Sequence, residues 1–139
     1  MWCGPLFGVD ALTLYAVAGT TTSRITFGTS VVPTYSRHPL VLAWGALTTQ
    51  AATGGRLILG IGSSHRALVE GALGFDYERP AAYLREYVSV LRRLLAGERF
   101  EHQGQFIRVD TTTVFGPARV PGAEPPPCIS APCFHSPFD

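Results

Sequence analysis

The sequence predicts an α/β fold with parallel strands, and three observations lead to that prediction. Residues 57–61 form an apolar run, and residues 25–32, with Ile25, Phe27, Val31 and Val32, lack the strict alternation of a half-exposed strand, as is typical of strands covered on both faces. The two segments begin about thirty residues apart with a helical pattern between them, which is the size of one βαβ unit. The chain has 139 residues, whereas a closed eight-stranded α/β barrel needs roughly 250. If the pattern belongs to such a barrel, the chain forms part of one.

Helical patterns and a hairpin account for most of the remaining chain. Asp10 is a suitable N-cap for a short apolar helix over residues 11–18. Pro39 suits the first position of a second helix, because its missing amide hydrogen loses no partner there. Residues 80–96 predict the clearest helix, and 100–109 predict a hairpin. One apolar stripe marks that clearest helix: Leu84, Tyr87, Val88, Leu91, Leu94 and Leu95.

The C-terminal part has a different character. Residues 117–127 are too rich in proline for a central strand or helix. A strand could begin at Cys128, but two prolines would cut it short. We therefore divide the chain into a folded domain over residues 1–127 and an irregular tail over 128–139, which resembles an ending read out of frame.

Composition excludes several classes of partner. The formal net charge is +1 and the arginines are scattered, so we expect no nucleic acid and no anionic membrane as a partner. No apolar run reaches the roughly 18 residues of a membrane span, and no signal peptide is evident, so we predict a cytoplasmic protein. The odd number of cysteines, three, suits a reducing compartment. Cys128 and Cys133 lack further ligands at suitable spacing, and we predict no metal site.

Small polar residues follow both predicted strands at the point where each strand ends. Thr29 and Ser30 close the first, and Ser63, Ser64 and His65 follow the second. The carboxyl ends of parallel strands meet at one edge of a sheet, which is where ligands of α/β proteins bind. The sequence therefore predicts a cofactor site at this edge, with a small molecule as the substrate.

The segment GIGSSH, residues 60–65, carries the strongest chemical signal. Gly60 and Gly62 would let a flat ring or a phosphate approach the backbone. His65 stands where the dinucleotide motif GxGxxG has its third glycine, so that motif is absent. His65 could donate to a ring carbonyl or transfer a proton near neutral pH, or it could simply start a helix. Both interpretations stay open at this point.

Serine hydrolase chemistry is not expected. Ser63 and Ser64 do not lie in a GxSxG elbow, and no aspartate and histidine follow them in a suitable order. His38 precedes a helix-starting proline, which favours a structural role near the N-cap.

Taken together, the motifs TSRI, FGTSV, RHP, GGRLILGIG, YERPA and LREY resemble the luciferase-like flavin and deazaflavin oxidoreductases, above all the branch that uses coenzyme F420. The resemblance extends over about residues 10–127. It implies an α/β fold that is a partial (β/α)8 TIM barrel, roughly strands three to five with their helices. Residues 25–32 would be strand three and 57–61 strand four. Residues 1–8 do not match strands one and two, and we expect a fragment of a longer parent.

The same resemblance implies the composition of the site. Relatives commonly have a non-proline cis peptide in a bulge at the end of strand three, which here corresponds to the bond between Ser30 and Val31. The cofactor-binding residues would be Thr29, Ser30, Val31, Gly62, Ser63, Ser64 and His65, with His65 as the catalytic candidate. Some relatives carry a carboxylic acid where His65 falls, so its role is an expectation.

The resemblance also implies the reaction. We expect hydride transfer between coenzyme F420 and an organic substrate in the full-length parent. An FMN-dependent luciferase-like monooxygenase is the first alternative. A non-catalytic fragment is the second, and homo-oligomer formation is possible because an incomplete sheet exposes edges and apolar surface.

Overall fold

The fold is built on a parallel sheet in the computed structural model, which describes residues 1–3, 8–112 and 124–130. The strands in chain order are β1 (Trp2–Cys3), β2 (Phe27–Thr29), β3 (Val32–Pro33), β4 (Leu57–Gly62), β5 (Glu101–Gln103), β6 (Arg108–Asp110) and β7 (Cys128–Ser130). One edge of β4 pairs with β2 and then β3, the other edge pairs with β7, and β1 extends the sheet beyond β2. All these pairings are parallel, while β5 and β6 form the predicted antiparallel hairpin. The α/β class is therefore confirmed.

The predicted helices are present in the described ranges. They are α1 (Ala11–Thr20), α2 (Pro39–Ala52) and α3 (Pro80–Leu95), and a short π-helix, Ala67–Ala72, follows β4. The Asp10 side chain caps α1 by accepting the Thr13 amide at 2.8 Å. His38 caps α2, because its Nδ1 accepts the Leu40 amide at 3.2 Å, as its structural interpretation predicted. No helix of the described part combines the length and apolarity of a membrane-spanning segment.

The strand predicted over residues 25–32 is interrupted. Gly28 pairs with Ile58, thirty positions on, whereas Val32 pairs with Ile61, twenty-nine positions on. One extra residue therefore lies in the first strand between these pairs, which makes a bulge. The cis peptide expected between Ser30 and Val31 is found in that bulge.

Both ends of the chain contribute strands that the sequence did not predict firmly. Residues 1–8 were expected not to match strands one and two of the family that the sequence resembles, and two of them form a short strand, β1, which pairs with β2 with Trp2 opposite Gly28. The tail was expected to be irregular from residue 128, yet β7 joins the sheet with Ile129 opposite Gly60. Two or three residues carry too little periodicity to identify a strand, and the open edges of β2 and β4 supply the backbone partners. Residues 131–139, including Cys133, lie outside the described ranges.

The hydrophobic core lies between the sheet and the helices. Leu57, Leu59 and Ile61 alternate along β4 and are fully buried, as the period of two in a strand requires. The predicted stripe of α3 packs into the same core, with Val88 half-buried and Val90 buried in addition. Tyr15 of α1 packs against Phe27, with ring centroids 5.1 Å apart, so α1 is fixed to β2.

Arg56 ties together the amino end of the sheet. Its guanidinium donates to the carbonyl oxygens of Gly19 at 2.9 Å, Thr22 at 2.7 Å and Ile25 at 3.0 Å. It also donates to the carbonyl oxygen of Thr53, at the end of α2. A cation at the carboxyl end of two helices complements their dipoles. One side chain therefore joins α1, α2 and the loop that leads into β2.

Replacing Arg56 with lysine should destabilise the fold, because an ammonium cannot reach several carbonyl groups at once. We expect the free energy of unfolding to fall by about 2–4 kcal/mol, given the usual contribution of hydrogen bonds to charged groups. Urea unfolding followed by circular dichroism measures this. Arg24→Lys, at an exposed position nearby, is the matched control and should change stability by less than about 0.5 kcal/mol. Equal stability of the two variants would refute the role of Arg56.

Candidate functional site

A cleft of about 540 Å³ lies at the carboxyl end of the parallel strands. The bulge contributes Val31 and β3 contributes Val32 and Pro33, while the turn after β4 contributes Ser64 and His65. The two predicted strand ends therefore meet at one cleft. Its remaining walls come from the start of α1, the loop before α2 and the π-helix, and they include Asp10, Ser36, Arg37, Leu68 and Leu73.

The predicted site residues divide into two groups in the structure. Val31, Ser64 and His65 line the cleft. Thr29, Gly62 and Ser63 are buried in the sheet or behind the turn, and Ser30 is exposed without lining the cleft. The binding roles of both groups stay predictions, and Thr29, Gly62 and Ser63 lie behind the residues that form the walls of the cleft.

Thr29 joins the two strands at the bulge. Its hydroxyl donates to the carbonyl oxygen of Gly60 at 2.7 Å and accepts the Gly60 amide at 2.8 Å. In a regular ladder these two backbone groups of Gly60 would pair with β2 or β3. The amide of the preceding residue, Leu59, faces the other edge of β4 and donates to the carbonyl oxygen of Pro127 at 2.9 Å. A Cβ atom on Gly60 would overlap the Thr29 carbonyl oxygen, so the close approach requires glycine. The side chain of Thr29 thus replaces a missing strand partner.

Tyr77 supports the turn after β4. Its hydroxyl donates to the Ser64 carbonyl oxygen at 2.7 Å and lies 3.4 Å from Oγ of Ser63. Ser64 has a φ of 65°, in the left-handed region that residues other than glycine rarely adopt. The turn is therefore held in an uncommon conformation by a buried tyrosine, and this conformation brings Ser64 and His65 to the cleft.

His65 makes the contact that its helix-starting interpretation predicts, and it also lies at the cleft. Its Nδ1 accepts the Leu68 amide at 3.3 Å, which is a helix-starting contact. In the neutral ring the proton then resides on Nε2, because Nδ1 serves as an acceptor. The exposed ring also lines the cleft. Its Nε2 is therefore the atom that can donate to a bound molecule.

An ion pair between Asp10 and Arg37 forms another wall of the cleft, and no pattern in the sequence predicts it. Burial raises the pKa of Asp10, but hydrogen bonds from the Thr13 amide and hydroxyl and from Arg37, with the charge of Arg37, outweigh burial and leave the pKa below its usual value. The carboxylate therefore stays ionised at neutral pH. Asp10 was recognisable as an N-cap, but nothing in a linear pattern connects it with a residue 27 positions away.

A second cavity of about 500 Å³ adjoins the first and shares Arg37 with it. Its aromatic wall includes Tyr35 and Tyr83, whose stacked rings have centroids 4.2 Å apart. Burial raises the pKa of Tyr83 to about 12, so its hydroxyl stays protonated. The hydroxyls of Tyr83 and Tyr87 donate to the carbonyl oxygens of Thr34 and Arg37 at 3.2 and 2.8 Å. Helix α3 thereby fixes the loop that carries Arg37.

This arrangement corresponds to a known family. The family model for luciferase-like monooxygenases matches residues 1–132, so the chain belongs to that family. A Mycobacterium tuberculosis protein named as a coenzyme F420-dependent oxidoreductase is 41% identical over 92 residues, covering 66% of this chain and 26% of the relative. The F420-dependent glucose-6-phosphate dehydrogenase of Intrasporangium calvum is 38% identical over 112 residues, covering 76% of this chain and 33% of the relative. The chain thus spans about a quarter to a third of the length of these relatives.

A solved structure agrees with the sequence relatives. The monooxygenase RslO1 from Streptomyces bottropensis matches with a TM-score of 0.72 and 28% identity. The match covers 87% of this chain and 36% of that protein. The open parallel sheet described above therefore corresponds to a part of the α/β fold of the family.

Thr29→Val should destabilise the protein, because both backbone groups of Gly60 would lose their partner while buried. We expect a loss of about 2–4 kcal/mol in the free energy of unfolding, from two unsatisfied groups at roughly 1–3 kcal/mol each. Thr29→Ser keeps the hydroxyl and should lose only about 1 kcal/mol, for the missing methyl group. Thermal and urea unfolding of the two variants measures the difference. Valine and serine variants of equal stability would show that the hydroxyl is not needed.

Proposed function

We propose that this chain forms the cofactor cleft of an oxidoreductase that uses coenzyme F420 to transfer hydride to or from a small organic substrate. The observation that carries the proposal is the convergence of the bulge at Val31 and the turn at Ser64 and His65 on one cleft. The two relatives above, both named as F420-dependent, support this choice of cofactor. We propose that the chain corresponds to roughly strands three to five of a (β/α)8 barrel.

The residues of the cleft fit a flat ring with apolar faces and polar edges. Its volume lies in the range of about 300–1,000 Å³ that is typical of small-molecule sites. Apolar groups come from Val31, Pro33 and Leu68, and polar groups come from Ser64 and His65. This mixture suits a deazaflavin ring, which needs apolar contacts and a few hydrogen bonds to fix its orientation.

Each part of the cleft would have its own task. Coenzyme F420, when bound, supplies a ring carbon that accepts or gives up hydride. Val31 and Pro33 would exclude water and orient the ring, which favours transfer by holding the reactants in place. His65 would donate a hydrogen bond from Nε2 to the ring or the substrate, and it is the residue we propose for proton transfer. Thr29 and Gly62 would act indirectly by fixing the strand ends.

A luciferase-like monooxygenase that uses FMN is the second candidate. The similarity to RslO1, a monooxygenase, favours it. A flavin ring has much the same shape and mixture of polar and apolar groups, so the same cleft would suit it. The choice between the two therefore depends on which cofactor binds, and binding of neither would favour a non-catalytic role. A cytoplasmic location belongs to the same proposal and is supported by the three cysteines, an odd number.

We also propose that the chain associates with a second copy through the outer surfaces of α1 and α2. Neither helix contains a charged residue. The side chains of Leu14, Val17 and Val41 are 37%, 64% and 51% exposed. Threonine is the polar residue type among their exposed positions, and exposed apolar side chains beside uncharged ones favour contact with another protein surface. A second copy presents the same uncharged surface, so a symmetric contact would bury apolar groups without burying a charge.

Val17→Arg should prevent this association by placing a charge in the contact. We expect the unmodified chain to sediment as a dimer at micromolar concentration and the variant to sediment as a monomer. Ser89→Arg adds the same charge at an exposed position of α3 and should leave the dimer intact. Analytical ultracentrifugation decides the matter, and a monomer at every concentration of the unmodified chain would contradict the proposal.

Titration with F420 and FMN tests the proposed function. We expect the chain to bind F420 more tightly than FMN, as measured by the change in cofactor absorbance and fluorescence. His65→Ala should weaken F420 binding about fivefold, which corresponds to the loss of one hydrogen bond worth about 1 kcal/mol. His102→Ala is the control, because His102 lies in the hairpin and contacts Glu86. Tighter binding of FMN would favour the monooxygenase, and binding of neither cofactor would reject both.

A further inference from the structure

Arg37 has an unusual position among the charged residues of the site. It lines both the cleft of about 540 Å³ and the neighbouring cavity of about 500 Å³. Its side chain is 30% exposed, so a ligand in the cleft can reach it. Arg37 has no role in the hydride transfer proposed for this cleft, so its side chain is available for another interaction.

The Arg37 guanidinium is held in place before any ligand arrives. Oδ1 of Asp10 accepts the amide and the hydroxyl of Thr13, both at 2.8 Å, and Oδ2 pairs with Nη2 of Arg37. The backbone of Arg37 is fixed as well, because its amide donates to Thr34 at 3.2 Å and its carbonyl oxygen accepts the Tyr87 hydroxyl at 2.8 Å. A binding group that is already ordered loses little entropy when it binds.

Part of the guanidinium stays available to a ligand. Within the described ranges, Nη2 is the nitrogen of Arg37 that has a protein partner, which leaves Nε and Nη1 with unused donors. Arg56 differs, because its Nε, Nη1 and Nη2 all donate to protein oxygens. The planar fork of an arginine matches the oxygens of a phosphate or a carboxylate. Arg37 therefore has the donors of a binding residue, and Arg56 those of a structural one.

The other charges near Arg37 are compatible with an anion in the cleft. Asp10 is the one carboxylate that lines it in the described part of the chain, and both of its oxygens have donors. His65 and Ser64 contribute further polar groups to the same walls. Asp76 and Glu78 line the neighbouring cavity. Their negative charges would repel an anion there, so an anion bound by Arg37 is favoured in the cleft over the neighbouring cavity.

We propose that Arg37 binds an oxyanion in this cleft, a phosphate or carboxylate group carried by the substrate or by the side chain of the cofactor, and that Asp10 positions it. The inference rests on the proposed function for the identity of the molecule that carries the anion. The anion site itself needs only the residues of this chain.

Inorganic phosphate is the probe for the site. In the ¹⁵N-labelled full chain, the Nε–H signal of Arg37 should shift on addition of phosphate and saturate. Arg37→Gln should weaken phosphate binding at least tenfold, and Arg37→Lys should restore part of it through charge alone. Asp10→Asn keeps the N-cap but loses the charge that holds Arg37, and we expect phosphate binding about threefold to tenfold weaker.

Arg66→Gln is the matched control. Arg66 also pairs with a carboxylate, that of Glu70, and lies next to His65, but it does not line the cleft. It should leave phosphate affinity unchanged. Equal phosphate affinity in Arg37→Gln and the unmodified chain, or an Nε–H signal of Arg37 that does not move, would overturn the proposal. The signal of the unmodified chain decides the matter if a variant fails to fold.

The source of the oxyanion follows from two further titrations. F420 carries a phosphate, and the deazaflavin riboside lacks it. If Arg37→Gln weakens binding of F420 but not of the riboside, the anion belongs to the cofactor. If it weakens binding of phosphate alone, the anion belongs to the substrate. Absence of F420 binding in the unmodified chain would reject the proposed function, while an Arg37-dependent phosphate site would still support this inference.

Discussion

The hydroxyl of Thr29 against the backbone of Gly60 is the contact on which the candidate site depends. The hydroxyl pairs with both the amide and the carbonyl oxygen of Gly60 in the central strand β4. The neighbouring strand bulges at this point and cannot pair with these two groups. Without that pairing, a buried amide and a buried carbonyl would have no partner, and such groups are costly. The contact also requires glycine at position 60, because any Cβ atom there would overlap the Thr29 carbonyl oxygen. The extra residue between β2 and β3 is thereby accommodated, and Val31 lies at the wall of the cleft.

The two ends of the sheet serve different purposes. At the amino end, Arg56 uses its whole guanidinium to join the ends of α1 and α2 to the loop before β2. At the carboxyl end, Arg37 pairs with Asp10 through one nitrogen and lines the cleft. Such a division is expected of α/β folds, in which stability concentrates at one face and binding at the other. Two arginines of the same formal charge therefore differ in how many of their donors the protein uses, and this difference is the basis of the role proposed for Arg37.

How far the sequence could predict the structure depended on the length of each pattern. The helices were predictable, because Pro39 and Pro80 mark their starts and several turns of α3 repeat one apolar stripe. The strand over residues 25–32 was predicted as continuous, since a bulge changes the pairing register but not the apolar composition. The strands β1 and β7 are too short for any periodicity. The site was predicted in part: Val31, Ser64 and His65 line the cleft, whereas Thr29 and Ser63 support it from behind.

The sequence by itself determined the α/β class, the order of the helices and the two strand ends that meet at the cleft, because these follow from local patterns and from the geometry of parallel strands. The motifs also indicated the family, and the match of the family model to residues 1–132 confirms it. Only the tertiary structure decided that Asp10 and Arg37 share a wall, that Tyr77 holds Ser64 in its turn, and that α3 fixes the loop before α2 through Tyr83 and Tyr87. These contacts join residues from 13 to 50 positions apart. A local sequence pattern cannot predict contacts between residues so far apart along the chain, because these contacts depend on how the helices pack on the sheet.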